Sequence, residues 1–589
     1  MHLLLRFSIL ILPGYSMFLR LFYNTFSMIG ILLLWIALIP VIPAYGKQAT
    51  VSNEYIQRQT KNPVTQHKSI LSNPLSESIR RYFTHSLQQK NVSGATRSFL
   101  VKNRLARFYA ARAYQPAWLK RSMITELISA IESAAEDGLD PSDYHITEIK
   151  ALYSHSPATP EQAAKSDILL SDALFTLAEH LRYGKVNPVS LDPHWNISDF
   201  KKRSSLDFML QQAIANERIA VFLQELHPQH FVYDALKKEL VRYRTIAKAG
   251  NWPHLVDGAI LKEGDMDARI LQFRKRLSFS DDIMLSNADT SSVYSSEMVE
   301  AVKHFQKTNG IDADGVIGPA TVKAMNIPVE RRVDQLRINL ERCRWLLNDL
   351  EQTCVLVNIA EFTLYYVEKG IYRWKTRVIV GQPFRETPVF KANMQYVIFN
   401  PSWVVPPTIL TKDVLPAIRK NSSYLTKKKL NIFDRNGALV NPALVDWSKY
   451  TTENFPYRLQ QTAGEHGALG RIKFMLPNKY TVYLHDTPAK ELFAKNIRTF
   501  SSGCIRVDNP QELVRLVLHD SVKWSKERII ATINSEKTIA VYLPKRIPVF
   551  IVYLTAFAEN DHIVFLDDVY NRDKALLEAL DKPVLLVPQ

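Results

Sequence analysis

The sequence predicts a multidomain α+β protein: an α-helical scaffold, a small three-helix domain, and a β-rich C-terminal domain with a helical and loop insertion. Three observations carry that expectation. A chain of 589 residues has room for three or four domains at roughly 100–200 residues each. Apolar residues keep a helical period through 76–260. After residue 353 they gather into strand-like runs bounded by Gly, Pro and Asn. The composition excludes a collagen-like or mostly disordered chain. Beyond residue 46 no apolar run approaches the roughly 18 residues of a membrane span.

In chain order, residues 1–46 come first. The apolar stretch MIGILLLWIALIPVI at 28–42 follows Arg20 and precedes Ala44-Tyr45-Gly46, the anatomy of a signal peptide with cleavage after Gly46. A retained signal anchor is the alternative, and Pro40 and Pro43 shorten the run against it. Either reading exports the rest of the chain to the periplasm, and an anchor would tether it to the inner membrane. Residues 47–75 are polar, contain Pro63 and Pro74, and read as a linker.

Residues 76–260 form the scaffold. Ile124, Leu127, Ile128 and Ile131 repeat at helical spacing, as do Leu170, Leu174, Leu177 and Leu181. Breaks fall at Gly138–Pro141 and Gly184–Pro188. His180, His194, His227 and His230 have no metal-ligand spacing.

Residues 264–327 change character. One helix carries Leu271, Phe273 and Leu277, and a second carries Met298, Val302 and Phe305. A turn with Gly315 and Gly318 leads into a third. This stretch resembles the three-helix peptidoglycan-binding domain, whose AVxxFQxxxGLxxDGxxGxxT pattern it matches. Residues 328–350 read as a connecting helix with Cys343 between Arg342 and Arg344.

From 353 to 589 strand signals dominate, among them CVLVNIAEFTLYYVE, YRWKTRVIVG, RIKFML and IPVFIVYLTAF. Residues 410–460 interrupt them with a polar, Lys-rich, partly helical insertion placed to act as a lid.

The net charge of +16 favours anionic partners. The basic residues are scattered, and no nucleic-acid motif accompanies them. Three cysteines are too few for a disulfide framework. No metal-ligand cluster or phosphate loop is legible, so no cofactor and no metal are expected.

Cys504 lies in Phe500-Ser501-Ser502-Gly503-Cys504-Ile505-Arg506. Gly503 lets the backbone turn so that amide groups converge, and the Gly503 and Cys504 N–H groups are candidate oxyanion donors. Arg506 adds a positive charge that favours thiolate. A thiol nucleophile needs a base. His485, 19 residues earlier at the end of a strand, is the first candidate, with an ordinary imidazole pKa near 6.5. His466, in a Gly-rich loop, is the alternative. Ser501, Ser502, Tyr483, Trp403 and His466 are the candidate substrate-binding residues.

HDTP followed by SSGCIR resembles the catalytic domain of L,D-transpeptidases, and so do HGALGRIKFMLPN and NPSWVVPPTI. Ser502 stands where many members carry a second His. With the scaffold and the peptidoglycan-binding stretch, the resemblance is to the large periplasmic branch of that family. It implies a cysteine acyltransferase that releases D-alanine from tetrapeptide stems, forms diaminopimelate–diaminopimelate links, and is acylated by β-lactams. Other cell-wall synthesis enzymes are the implied partners. An L,D-carboxypeptidase or cysteine peptidase using water, and a non-catalytic wall-binding protein, remain open alternatives.

Overall fold

The computed structural model describes residues 73–88, 96–154, 157–197, 204–279, 290–451, 453–464, 466–560 and 562–584. The signal segment expected at 1–46, and nearly all of the linker expected at 47–75, lie outside them. Among the described residues, no helix is long and apolar enough to cross a membrane.

The scaffold is helical, as expected. Its centre is the helix Pro160–Tyr183, packed among Arg121–Ser133, Ile146–Ser154 and neighbouring helices. Thr159 caps its start by accepting the Gln162 N–H at 3.3 Å, and Pro160 occupies the first turn. Leu170, Leu174, Leu177 and Leu181 are all buried. In the helix Arg121–Ser133 the buried stripe is Met123, Leu127 and Ile131, so Ile124 and Ile128 flank the core instead of centring it.

The three short helices Ile270–Leu277, Ser296–Thr308 and Pro319–Met325 close over Phe273, Met298, Val302 and Phe305. The motif residues between them bind one another. The Gln306 amide nitrogen donates to Asp314 Oδ1 at 2.8 Å and to Thr321 Oγ1 at 3.1 Å, while its oxygen accepts the Gly315 N–H at 2.8 Å. Gly315 holds φ at +73°, which a side chain would strain.

The helix Val329–Leu346 is fastened to the scaffold through a buried ion pair. Arg344 and Glu341 are fully buried and meet at 2.5 Å. Arg344 Nη1 also donates to the Asp137 carbonyl and the Tyr233 hydroxyl, and Glu341 accepts the Val186 N–H. Arg344→Leu strands the Glu341 charge without a partner. It should destabilise the chain by about 3–5 kcal/mol, read as a lowered thermal midpoint. Neighbouring Cys343 and Cys354 are buried, and burial pushes each thiol up to about 12, which makes them inert.

The C-terminal domain contains β1 (Cys354–Asn358), β2 (Thr363–Glu368), β3 (Ile371–Gly381), β4 (Phe390–Phe399), β5 (Trp403–Val404), β6 (Leu430–Phe433), β7 (Leu439–Val440), β8 (Arg458–Gln461), β9 (Ile472–Met475), β10 (Leu484–His485), β11 (Thr499–Ser501), β12 (Ile505–Val507) and β13 (Ile539–Val552), followed by a hairpin. Nine form one sheet in the order β11-β3-β12-β10-β9-β4-β13-β1-β2. β2 also pairs with β3, so the sheet curls round and closes. Its core includes Val355, Val378, Phe390, Phe474, Leu484 and Val549.

The insertion differs in part from the expectation. It is partly helical, as expected, but it also carries strands: β5, β8, β6 and β7 form a second sheet, with short helices packed over Val414, Leu415, Ile418, Ile432 and Leu459. It therefore spans roughly 403–461 and has a core of its own.

Candidate active site

The site is built where two strands run parallel. β10 pairs with β12 so that Leu484 faces Ile505 and His485 faces Arg506. Antiparallel pairing with β9 sets Lys473 opposite His485. Paired residues share a sheet face, and so do residues two apart. Tyr483, His485, Arg506 and Lys473 therefore lie on one face, with Cys504 at its entrance, while Leu484, Ile505 and Phe474 point into the core.

The loop that carries Cys504 is tightly folded. Gly503 has φ +112°, as its place in the turn requires. Ser501 is buried, accepts the Gly503 N–H at 3.1 Å and donates to the Cys504 carbonyl. Two expectations change here. The Gly503 N–H is already committed, so it is not a free oxyanion donor. Ser501 holds the loop together and does not face a substrate. The Cys504 N–H has no hydrogen-bond partner among the described residues. The helix Pro510–Leu518 begins with Pro510 in its first turn.

The thiol is half-buried and lies 3.9 Å from the Thr481 carbonyl, with the Tyr483 phenol as a second partner. Burial raises its pKa, against the lowering effect of Tyr483, Lys473 and Arg506. Arg506 does act in the expected direction, favouring thiolate, but desolvation outweighs its charge. Tyr483 is pushed up as well, by burial and by the thiol, so it stays a hydrogen-bond donor.

His485 is buried, and its Nδ1 lies 2.5 Å from the Asp486 carbonyl. A carbonyl only accepts, so Nδ1 carries the proton and Nε2 is the basic nitrogen. Asp486 is itself clamped: its carboxylate accepts the Arg471 N–H at 2.8 Å and pairs with Lys490 at 2.6 Å. Gly470 makes room, since a Cβ there would stand 2.5 Å from that carboxylate. Burial first, then the Arg506 and Lys473 charges, lower the His485 pKa to about 3 instead of the 6.5 expected. Among the described residues His485 and Cys504 share no hydrogen bond. They are neighbours through the strand register, a looseness common before substrate binds.

The Arg506 side chain forms no hydrogen bond or ion pair among the described residues, although Glu491 lies near enough to raise its basicity. Lys473, which the sequence reading missed, stacks its ammonium 3.7 Å from the centre of the Tyr483 ring. Both cations lie beside the thiol, and both have their pKa lowered mainly by burial. Ser502 is exposed and accepts a hydrogen bond from Arg385 at 3.1 Å. Trp403 pairs with Gln461 in the insertion's sheet and is half-buried against its core. His466 is exposed on the turn that leads to Gly470 and makes no hydrogen bond among the described residues.

Residues 352–534 match the family model described as the L,D-transpeptidase catalytic domain, which contains Cys504, His485 and Arg506. Residues 352–534 are thus similar to an L,D-transpeptidase catalytic domain. Residues 103–240 match a scaffold-domain model, and residues 269–325 match one described as a "Putative peptidoglycan binding domain". A "Putative L,D-transpeptidase" of Haemophilus influenzae is 35% identical over 255 residues, covering 43% of this chain and 51% of the relative. The chain thus spans about half the length of that relative. The N-acetylmuramoyl-L-alanine amidase CwlL of Bacillus licheniformis is 40% identical over 68 residues, covering 12% of this chain and 19% of that protein. The crystal structure of an L,D-transpeptidase from Xylanimonas cellulosilytica aligns over 50% of this chain and 99% of its own at 13% identity, with a TM-score of 0.15.

Proposed function

We propose that this chain is an L,D-transpeptidase that cross-links peptidoglycan stem peptides outside the cytoplasm through a Cys504 thioester. The observation that carries the reading is the shared face of β10 and β12. It brings a thiol, an imidazole with its proton held on Nδ1 and two cations to one face of the sheet. In the first half-reaction, Nε2 of His485 takes the thiol proton as sulfur attacks the carbonyl of the diaminopimelate–D-alanine bond. The Cys504 N–H and the Tyr483 hydroxyl suit the developing oxyanion. The C–N bond then breaks, the imidazolium returns its proton to the leaving amine, and D-alanine departs. In the second half-reaction, the side-chain amine of another diaminopimelate attacks the thioester. His485 takes a proton from that amine, and the sulfur leaves as thiol. Arg506 and Lys473 suit the carboxylates of the donor stem.

The matched peptidoglycan-binding domain supports the wall polymer as substrate. Incubating purified sacculi with the full chain and analysing muropeptides by mass spectrometry tests the proposal. New diaminopimelate–diaminopimelate dimers are expected. Tripeptides alone would make water the acceptor and the protein a carboxypeptidase. A Cys504→Ala chain that reproduced the wild-type products would leave only a wall-binding role.

A further inference from the structure

The turn between β3 and β4 lies against the nucleophile loop, and three of its residues each hold one of three consecutive loop residues. The Gln382 N–H donates to the Ser501 carbonyl at 3.0 Å. Arg385 Nη1 donates to Ser502 Oγ at 3.1 Å. Thr387 Oγ1 donates to the Gly503 carbonyl at 2.9 Å. The turn is rigid. The Tyr570 hydroxyl donates to the Gly381 carbonyl at 2.6 Å and accepts the Thr387 N–H at 3.2 Å. A Cβ at Gly381 would stand 2.1 Å from the Arg385 carbonyl, so only glycine lets the chain double back this closely.

Arg385 also reaches the insertion. Nη1 donates to Asp413 Oδ2 at 2.6 Å and Nη2 to Asp413 Oδ1 at 2.9 Å, a two-pronged pair. Asp413 lies on the helical segment Leu410–Val414. The Arg385 side chain is 14% exposed and that of Asp413 42%. Arg385 Nε is buried with no partner, so the side chain keeps this position despite a desolvated donor. One guanidinium therefore touches the insertion and the loop that carries Cys504.

We propose that Arg385 is a positioning residue that couples the insertion to the nucleophile loop. With the insertion down, Asp413 and the turn together hold Nη1 against Ser502, which fixes the entry to Cys504. When the insertion lifts, Asp413 draws the guanidinium away and the loop loses its middle tether. Substrate capture beneath the insertion and readiness of the thiol are thereby linked. The proposal rests on Cys504 being the nucleophile. Lysine cannot replace this arginine, because a single ammonium lacks the planar fork that serves a carboxylate and a hydroxyl together.

The experiment uses the full chain with Asp413→Asn, Arg385→Lys and Arg385→Ala. Two readouts are taken: the rate at which a small carbapenem adds its mass to Cys504, and hydrogen–deuterium exchange over 407–420 and 499–506. Asp413→Asn leaves Arg385 in place and changes a part-exposed residue, so it carries the test if the Arg385 variants fail to fold. It should speed exchange in both segments and slow acylation by about tenfold. Arg385→Ala should slow it by up to about 100-fold, the scale of a reacting group displaced by about 1 Å, and Arg385→Lys should not restore the rate. Faster exchange confined to 407–420, with acylation unchanged, would overturn the coupling. A wild-type chain without an adduct on Cys504 would instead defeat the nucleophile assignment, and exchange at 499–506 in Asp413→Asn would still decide whether the two segments are linked.

Discussion

Cys504→Ser should lower D-alanine release from tetrapeptide donors by at least about 10⁴-fold, the scale seen when a nucleophile is removed from a catalytic set that acts as a unit. The environment makes sulfur hard to replace. Burial already raises the thiol pKa, and the base beside it binds a proton weakly. A serine hydroxyl is a far weaker acid than a thiol, so the same imidazole could not draw its proton. The side chain is half-buried on a loop whose shape comes from Ser501, Gly503 and the 381–387 turn. The substitution should therefore leave the thermal midpoint nearly unchanged, within about 0.5 kcal/mol of stability. Intact-protein mass spectrometry after β-lactam treatment should place one adduct on wild-type Cys504 and none on the serine variant. Cys343 and Cys354 offer no alternative, since each thiol is pushed up to about 12 in an apolar core. Wild-type turnover in Cys504→Ser, or an adduct on either buried cysteine, would relocate the site.

The residues with distinctive local chemistry were legible in the sequence. A cysteine after glycine and small serines, two positions before arginine, pointed to a nucleophile loop. A histidine ending an apolar strand pointed to a candidate base. The helical scaffold and the three-helix stretch followed from periodicity, and Gln306, Asp314 and Thr321 show that much of the latter's motif is the wiring of one turn. Other features depend on tertiary placement. Lys473 sits between buried Ile472 and Phe474, so alternation would have exposed it as facing the opposite way; its nearness to Cys504 needed the β9–β10 register. Arg385 and Asp413 are 28 residues apart with nothing local to pair them. The insertion's strands are two to four residues long, too short for a period of two to show. The direction of the thiol shift was missed for a physical reason. A neighbouring arginine can be read from the chain, whereas the desolvation that outweighs it exists only once the sheet and loop have packed.

His485→Ala should cut Cys504 acylation by about 10²–10⁴-fold, the usual share of a general base, while the unchanged Cys504 remains present to be titrated by thiol reagents. The pH dependence separates this base from an ordinary imidazole. A histidine at 6.5 would be mostly protonated at pH 5, and kcat/KM there would fall by about 30-fold. Burial beside Arg506 and Lys473 brings His485 to about 3, so the neutral form persists and kcat/KM should stay within about twofold between pH 5 and pH 7. The same shift sets a stability trend. Below pH 6.5 the unfolded chain takes up a proton that folded His485 refuses, so the unfolded state binds more protons and stability falls as pH drops from 6.5 toward about 3. The slope from this one residue is about 1.4 kcal/mol per pH unit. His485→Gln removes the titrating group, so its thermal midpoint should decline less than the wild type's between pH 7 and pH 4. A wild-type kcat/KM that collapses near pH 6.5, together with equal acid sensitivity in His485→Gln, would mean that the imidazole is solvated in the working enzyme. In that case the strand register does not bury it against Arg506, and the base would have to be sought on the exposed turn that carries His466.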